Sequence, residues 1–222
     1  MDRLAWHLDH QRNCACRPIP ARLTAVLHSR SSKGPARGQV LTRLLSGGDR
    51  RSIAQATHVL ALVHASPRRV AELASLAKDS DWLVAMRALD VLEKLAHEHA
   101  DWVQPYKKLF IGRLANSDRW ELRLQIVRAL PLLTWTPRER ARVIQILRLN
   151  VEHPRLFVRA WALDSLATLA ERDRDLVPIV ARSLEDFEGS SSHALQARAR
   201  QIRRRLRGAL DRRSVRPVPR KA

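Results

Sequence analysis

Apolar residues along this chain recur at helical spacing, and one pattern of them returns three times. Val84–Ala96 reads VAMRALDVLEKLA, Leu122–Leu133 reads LRLQIVRALPLL, and Val158–Ala170 reads VRAWALDSLATLA. With Val84, Leu122 and Val158 set to position zero, positions +4, +8 and +11 fall on one stripe at about 100° per residue. The stripe comprises Val84, Ala88, Leu92 and Leu95; Leu122, Ile126, Leu130 and Leu133; and Val158, Ala162, Leu166 and Leu169. Position +5 is apolar as well, in Leu89, Val127 and Leu163. The resulting arc of about 160° is wider than a surface helix needs. It suits a helix with a neighbour on each side, as in a stacked array. Small residues at +4 and +7 (Ala88, Ala162, Ala129, Ser165) allow such helices to approach closely.

Between the copies, turn and capping signals divide the chain into helix pairs. The expected pairs are 51–63 with 67–78, 81–96 with 102–115, 118–133 with 137–151, and 155–170 with 176–185. An earlier helix falls within 36–46 and a last one over 192–210. Ser66-Pro67 and Thr136-Pro137-Arg138-Glu139 combine a hydroxyl cap with proline at the first helical position, the second as a capping box. Asp101…Pro105 and Asp175…Pro178 place an acid and a proline in a first turn, where N–H groups have no intrahelical partner. No segment alternates like a strand.

Two features break the stripe. Position +1 lies inside the apolar arc yet is arginine in Arg123 and Arg159, against Ala85 in the first copy. A half-buried guanidinium needs acceptors, which loop carbonyls or an aspartate of an adjacent repeat would supply. Trp161 occupies +3, which the helical wheel puts on the polar face beside Arg87 and Gln125. It reads either as a partner contact or as packing against a long side chain or the chain's own tail.

Asp118-Arg119-Trp120-Glu121-Leu122-Arg123 and Phe157-Val158-Arg159-Ala160, each leading into an Ala-rich helix with a Leu stripe, resemble HEAT repeats of the short bacterial type. The resemblance covers about residues 49–188 and extends toward 210. It implies an all-α, right-handed armadillo-type solenoid of about four helix pairs with a C-terminal capping helix. It also implies a non-enzymatic scaffold that offers one face of the stack to a protein partner. The second helices carry Lys107, Lys108, Arg113, Arg142 and Arg148, so that partner is expected to be acidic, with Trp161 as a further contact. The DNA-alkylation glycosylases built from HEAT-like repeats are the alternative resemblance, carried by Trp161 and Arg159.

Charge adds to this picture at the ends. The net charge is +19 over 222 residues. Residues 1–48 carry +6, residues 49–188 only +3, and residues 189–222 carry +10. A nearly balanced body argues against a long DNA cradle. In the last helix Leu195, Ala199, Ile202, Leu206 and Leu210 form a stripe that would close the stack. Arg203, Arg204 and Arg207, with Arg212 and Arg213 in the following basic stretch, are the candidate nucleic-acid contacts.

Residues 1–35 show no sustained period and read as largely disordered apart from a short helix at 21–28, and 211–222 as a basic disordered tail. His7, His10, Cys14 and Cys16 are the right residue types for zinc, but Cys-x-Cys is tighter than the usual ligand spacing, so no metal site is assigned. No Gly-rich phosphate loop, cofactor motif or catalytic residue stands out. No apolar run reaches membrane-spanning length and no secretory signal pattern opens the sequence as given. With only two close cysteines, the expected compartment is the reducing cytoplasm.

Overall fold

The structure, a computed structural model, describes residues 39–49 and 52–214, without the side chains of residues 209–214. Among these residues the regular structure is entirely helical. The elements are α1 (Gln39–Leu45), α2 (Ala56–Ala65), α3 (Val70–Leu76), α4 (Trp82–Glu98), α5 (Ala100–Val103), α6 (Lys108–Ile111), α7 (Trp120–Ala129), α8 (Pro137–Val151), α9 (Leu156–Arg172), α10 (Val177–Glu188) and α11 (His193–Ser214). The first helices α4, α7 and α9 stack in order, and α11 closes on α9 and α10. The second helices flank them, with α3 on α4, α8 on α9 and α10 on α9. This is an α-solenoid with a capping helix. The segment 1–35, the short helix at 21–28 and the residues His7, His10, Cys14 and Cys16 lie outside the described residues, as do 215–222.

The repeated stripe is the core. Every +4, +5 and +8 residue of the three copies is fully buried, and Leu169 alone among the stripe residues stays half-exposed. At position +7 the Ser165 hydroxyl donates to the Val127 carbonyl at 2.6 Å, a direct bond between α9 and α7 that only a small side chain permits. The arginines at +1 also behave as the pattern predicts. Arg123 Nε donates to the Ser117 carbonyl at 2.5 Å in the turn before α7, and Arg159 Nε to the Val151 carbonyl at 3.0 Å at the end of α8.

Position +3 is where the helical wheel misleads. Arg87 has no exposed surface, Gln125 is 8% exposed, and Trp161 is half-buried. In a stack the first helix is covered by the helices before and after it, so the strip the wheel leaves polar becomes an inter-repeat seam. Arg87 fills that seam by reaching back to the turn after α1. Its guanidinium donates to four main-chain carbonyls, of Leu45 at 2.5 Å, Gly47 at 2.7 Å, Asp49 at 2.9 Å and Ser52 at 3.0 Å. Gly47 and Gly48 take φ of 77° and 69°, a left-handed course that turns this segment around the side chain and that other residues adopt only with strain.

Several helix ends also differ from expectation. The second helix of the second pair is not continuous over 102–115. It runs through α5, a 3₁₀ turn at Gln104–Tyr106 centred on Pro105, α6, and a second 3₁₀ turn at Arg113–Asn116 after Gly112. Proline removes a donor from the interior of the helix, and the chain restarts twice. Pro131 likewise converts the end of α7 into a 3₁₀ turn. Ser66 does not cap its helix; its hydroxyl accepts from Arg68 Nε instead. Asp173, rather than Asp175, caps the turn into α10. The capping box at Thr136 and Glu139 forms as expected.

The two tryptophans two residues before position zero share one environment. Trp82 opens α4 and lies under the guanidinium of Arg119, 4.8 Å from its ring centroid. Trp120 opens α7 and meets Arg155 at 6.0 Å. Each arginine is the N-cap residue of the next first helix, so this pairing passes from one repeat to the next.

Candidate functional site

The broken second helix leaves space beside it. Because α6 packs toward α8 and α3 packs on α4, a groove of about 500 Å³ opens between α3 and the segment 105–114. Its apolar lining comes from Ala71, Ala74, Pro105, Leu109 and Leu114, with the Tyr106 ring at one side. Lys78, Lys108 and Arg113 are the charged side chains lining it, and all three are solvent-exposed. No carboxylate lines it. Gly112 also lines it, and a Cβ there would crowd the Lys108 carbonyl of its own segment at 3.1 Å. The site thus offers an apolar floor with a rim of one sign, which suits an anionic ligand with some apolar surface.

Two of the five basic residues expected on the second helices, Lys108 and Arg113, therefore meet in one place. The other three do not join them. Lys107 turns away, where its Nζ donates to Glu139 Oε2 at 2.6 Å and to the Thr134 carbonyl at 3.1 Å and sits 5.5 Å from the Trp135 ring centroid. Arg142 donates to Gln145 Oε1 at 2.9 Å on its own helix, and Arg148 is exposed on α8 away from the groove lining. Lys78 was missed because it reads as an unremarkable cation at a helix end; only the fold brings it opposite Arg113.

Lys107 and the Thr136 cap act together on Glu139. The Lys107 ammonium bond, then the Thr136 main-chain N–H, hold the Glu139 carboxyl down from 4.5 to about 2. A depressed carboxylate contributes stability that is full above its unfolded value and is lost as pH falls through the folded one. The parent should therefore lose urea resistance between about pH 4.5 and 2, and Glu139→Gln should lose less over that window. Equal acid sensitivity in the two proteins would assign the loss to other groups.

Two guanidinium groups pack on the Trp161 ring, Arg128 at 5.0 Å and Arg198 of α11 at 4.8 Å. Arg159, which shares the glycosylase resemblance with it, faces the Phe187 ring at 5.2 Å. Both are thus engaged in packing within the stack. Three of the α11 arginines, Arg198, Arg203 and Arg205, pair with acids of the neighbouring helices. Arg203 forms a two-pronged pair with Glu188, Nε to Oε1 at 2.7 Å and Nη2 to Oε2 at 2.8 Å, and that pairing raises its pKa. Arg205 pairs with Glu171 and Asp164, and Arg198 with Asp164. Arg204 and Arg207 are exposed. Arg212 and Arg213 fall in the last turn of α11, beyond the described side chains. No described helix is long and apolar enough to cross a membrane.

No protein-family model matches this sequence, and no curated protein does either. Solved structures do resemble the fold. The complex of CpcE and CpcF of phycocyanin lyase from Nostoc sp. PCC7120 contains a chain that superposes with a TM-score of 0.56 at 16% identity, over 76% of this chain and 98% of that one. An engineered protein gives 0.53 at 18% identity, over 77% and 73%. A designed armadillo repeat protein in complex with the peptide (KR)4 gives 0.52 at 13% identity, over 77% and 80%. At these identities the likeness is one of fold, and the fold is a HEAT/armadillo-like helical repeat.

Proposed function

We propose that this HEAT/armadillo-like solenoid is a non-catalytic scaffold whose groove between α3 and α6 takes an acidic segment of a partner protein. The observation that carries this reading is the groove itself, with Lys78, Lys108 and Arg113 around an apolar floor and no carboxylate among the lining residues. An extended acidic peptide with one or two apolar side chains would satisfy both parts of the lining. The designed armadillo repeat protein in complex with (KR)4 is a repeat scaffold of similar fold holding a charged peptide; the groove here is lined by basic side chains, so the peptide it calls for is acidic.

The test is fluorescence anisotropy with a labelled peptide of alternating Asp and Leu, and (KR)4 as the control. The parent should bind the acidic peptide and not the basic one, with affinity falling as salt rises. Lys108→Glu together with Arg113→Glu changes two exposed side chains and should weaken binding by about tenfold or more, which is about 1.4 kcal/mol. Arg204→Glu with Arg207→Glu should leave peptide binding unchanged. Peptide affinity that survives the groove double variant sinks the proposal. So does a parent that ignores acidic peptide but binds duplex DNA through α11.

A further inference from the structure

At the seam between the first two helix pairs, three side chains with metal-binding atoms converge. His64 lies in the last turn of α2, Glu98 ends α4, and His99 is the C-cap residue of α4. One ligand atom from each lies within 4.8 Å of the others. His64 Nε2 stands 3.2 Å from Glu98 Oε2. That nitrogen is shielded from solvent yet makes no hydrogen bond.

We propose that His64, Glu98 and His99 bind a divalent transition-metal ion of the zinc class. Two imidazoles and one carboxylate are a ligand set that zinc, cobalt, nickel and copper accept, and three protein ligands leave a position open for water. An ion between His64 and Glu98 gives the shielded nitrogen the partner it lacks. The His99 ring is already held in place: it stacks on Trp102 with centroids 3.9 Å apart and planes 8° apart, and meets the His64 ring edge-on at 5.4 Å. A ligand fixed by a second shell loses little freedom on binding. The ends of α2 and α4 both carry the negative pole of a helix to this point, which favours a cation. The side chains of His64 and Glu98 are 34% and 54% exposed, so an ion reaches the site from solvent. A bound ion would tie α2 to α4 and so fasten the first helix pair to the second. The site is independent of the basic groove.

The full untagged chain carrying Cys14→Ser and Cys16→Ser, which removes the thiolates, is titrated with Co²⁺ and followed by its visible absorption, with Zn²⁺ measured by calorimetry. One equivalent should bind, and the thermal midpoint should rise with Zn²⁺. Glu98→Gln alters an exposed side chain and should weaken Zn²⁺ binding by about tenfold or more, and His64→Ala should do the same. Each variant's circular dichroism checks that it is folded. Saturable binding unchanged by both substitutions places the ion elsewhere and overturns the proposal, as does the absence of stoichiometric binding in the parent. Acidic-peptide binding, measured with and without Zn²⁺, reports separately on the groove.

Discussion

Replacing Arg87 with methionine is expected to destabilise the protein by about 3–5 kcal/mol although the change conserves much of the side chain's volume. The wild-type guanidinium is fully buried and satisfies the carbonyls of Leu45, Gly47, Asp49 and Ser52 at once. Methionine leaves those oxygens turned inward without their donor, and each orphaned acceptor costs about 1–3 kcal/mol before water re-enters. Refilling by water keeps the total below the simple sum. Arg87→Lys should recover little of the loss, because a single ammonium with three hydrogens cannot span four carbonyls spread around a planar fork. The damage should also be local at first. Solenoid repeats contact only their neighbours, so amide exchange should quicken in α1 and α2 at denaturant concentrations where α7–α11 stay protected. A Lys variant with parental stability, or uniform loss of protection along the chain, would show that the seam is not what holds the first layer.

How much of this could be read from the residues beforehand depended on which direction a side chain faced. Radial burial was legible: an apolar stripe of period 3.6 marks the core whatever the neighbours are, and Ala88, Ile126 and Leu166 are all at its centre. Axial burial was not. Arg87, Gln125 and Trp161 look solvated on a single-helix wheel because the wheel contains no adjacent repeat. The +1 arginines were legible because their acceptors are local, six and eight residues upstream. Arg87 was not, because its acceptors lie 35 to 42 residues away. The candidate groove follows the same rule. Lys108 and Arg113 could be named from the composition of the second helices, but their meeting with Lys78 depends on the break that Pro105 and Gly112 impose. His64 and the pair Glu98-His99 are separated by α3 and the length of α4 and match no ligand spacing in the sequence.

The second large effect is expected at Glu93. This carboxylate is 1% exposed, and its Oε1 is held at 3.0 Å by both Arg128 of α7 and His97 of α4. Its other oxygen is buried without a partner, so the group already stands near the limit of what its surroundings compensate. Arg128→Met should therefore cost about 3–5 kcal/mol, since it strips a buried charge of its principal counter-ion. Glu93→Gln alone should cost less, because the amide removes the charge, although Arg128 is then left with weaker acceptors, Gln125 Oε1 among them. The informative protein is Glu93→Leu with Arg128→Met. If the pair exists to satisfy itself, the double variant should return close to parental stability, giving a coupling in a urea-unfolding cycle at least as large as the cost of about 3–5 kcal/mol for Arg128→Met alone. Arg128 also packs on the Trp161 ring, as does Arg198 of the capping helix. If that stacking carries weight of its own, the double variant will remain short of the parent, and the shortfall should vanish when the cycle is repeated on Trp161→Leu. Full additivity of the two single changes would instead mean that Glu93 and Arg128 are not coupled, and that the seam between α4 and α7 is held by its apolar contacts alone.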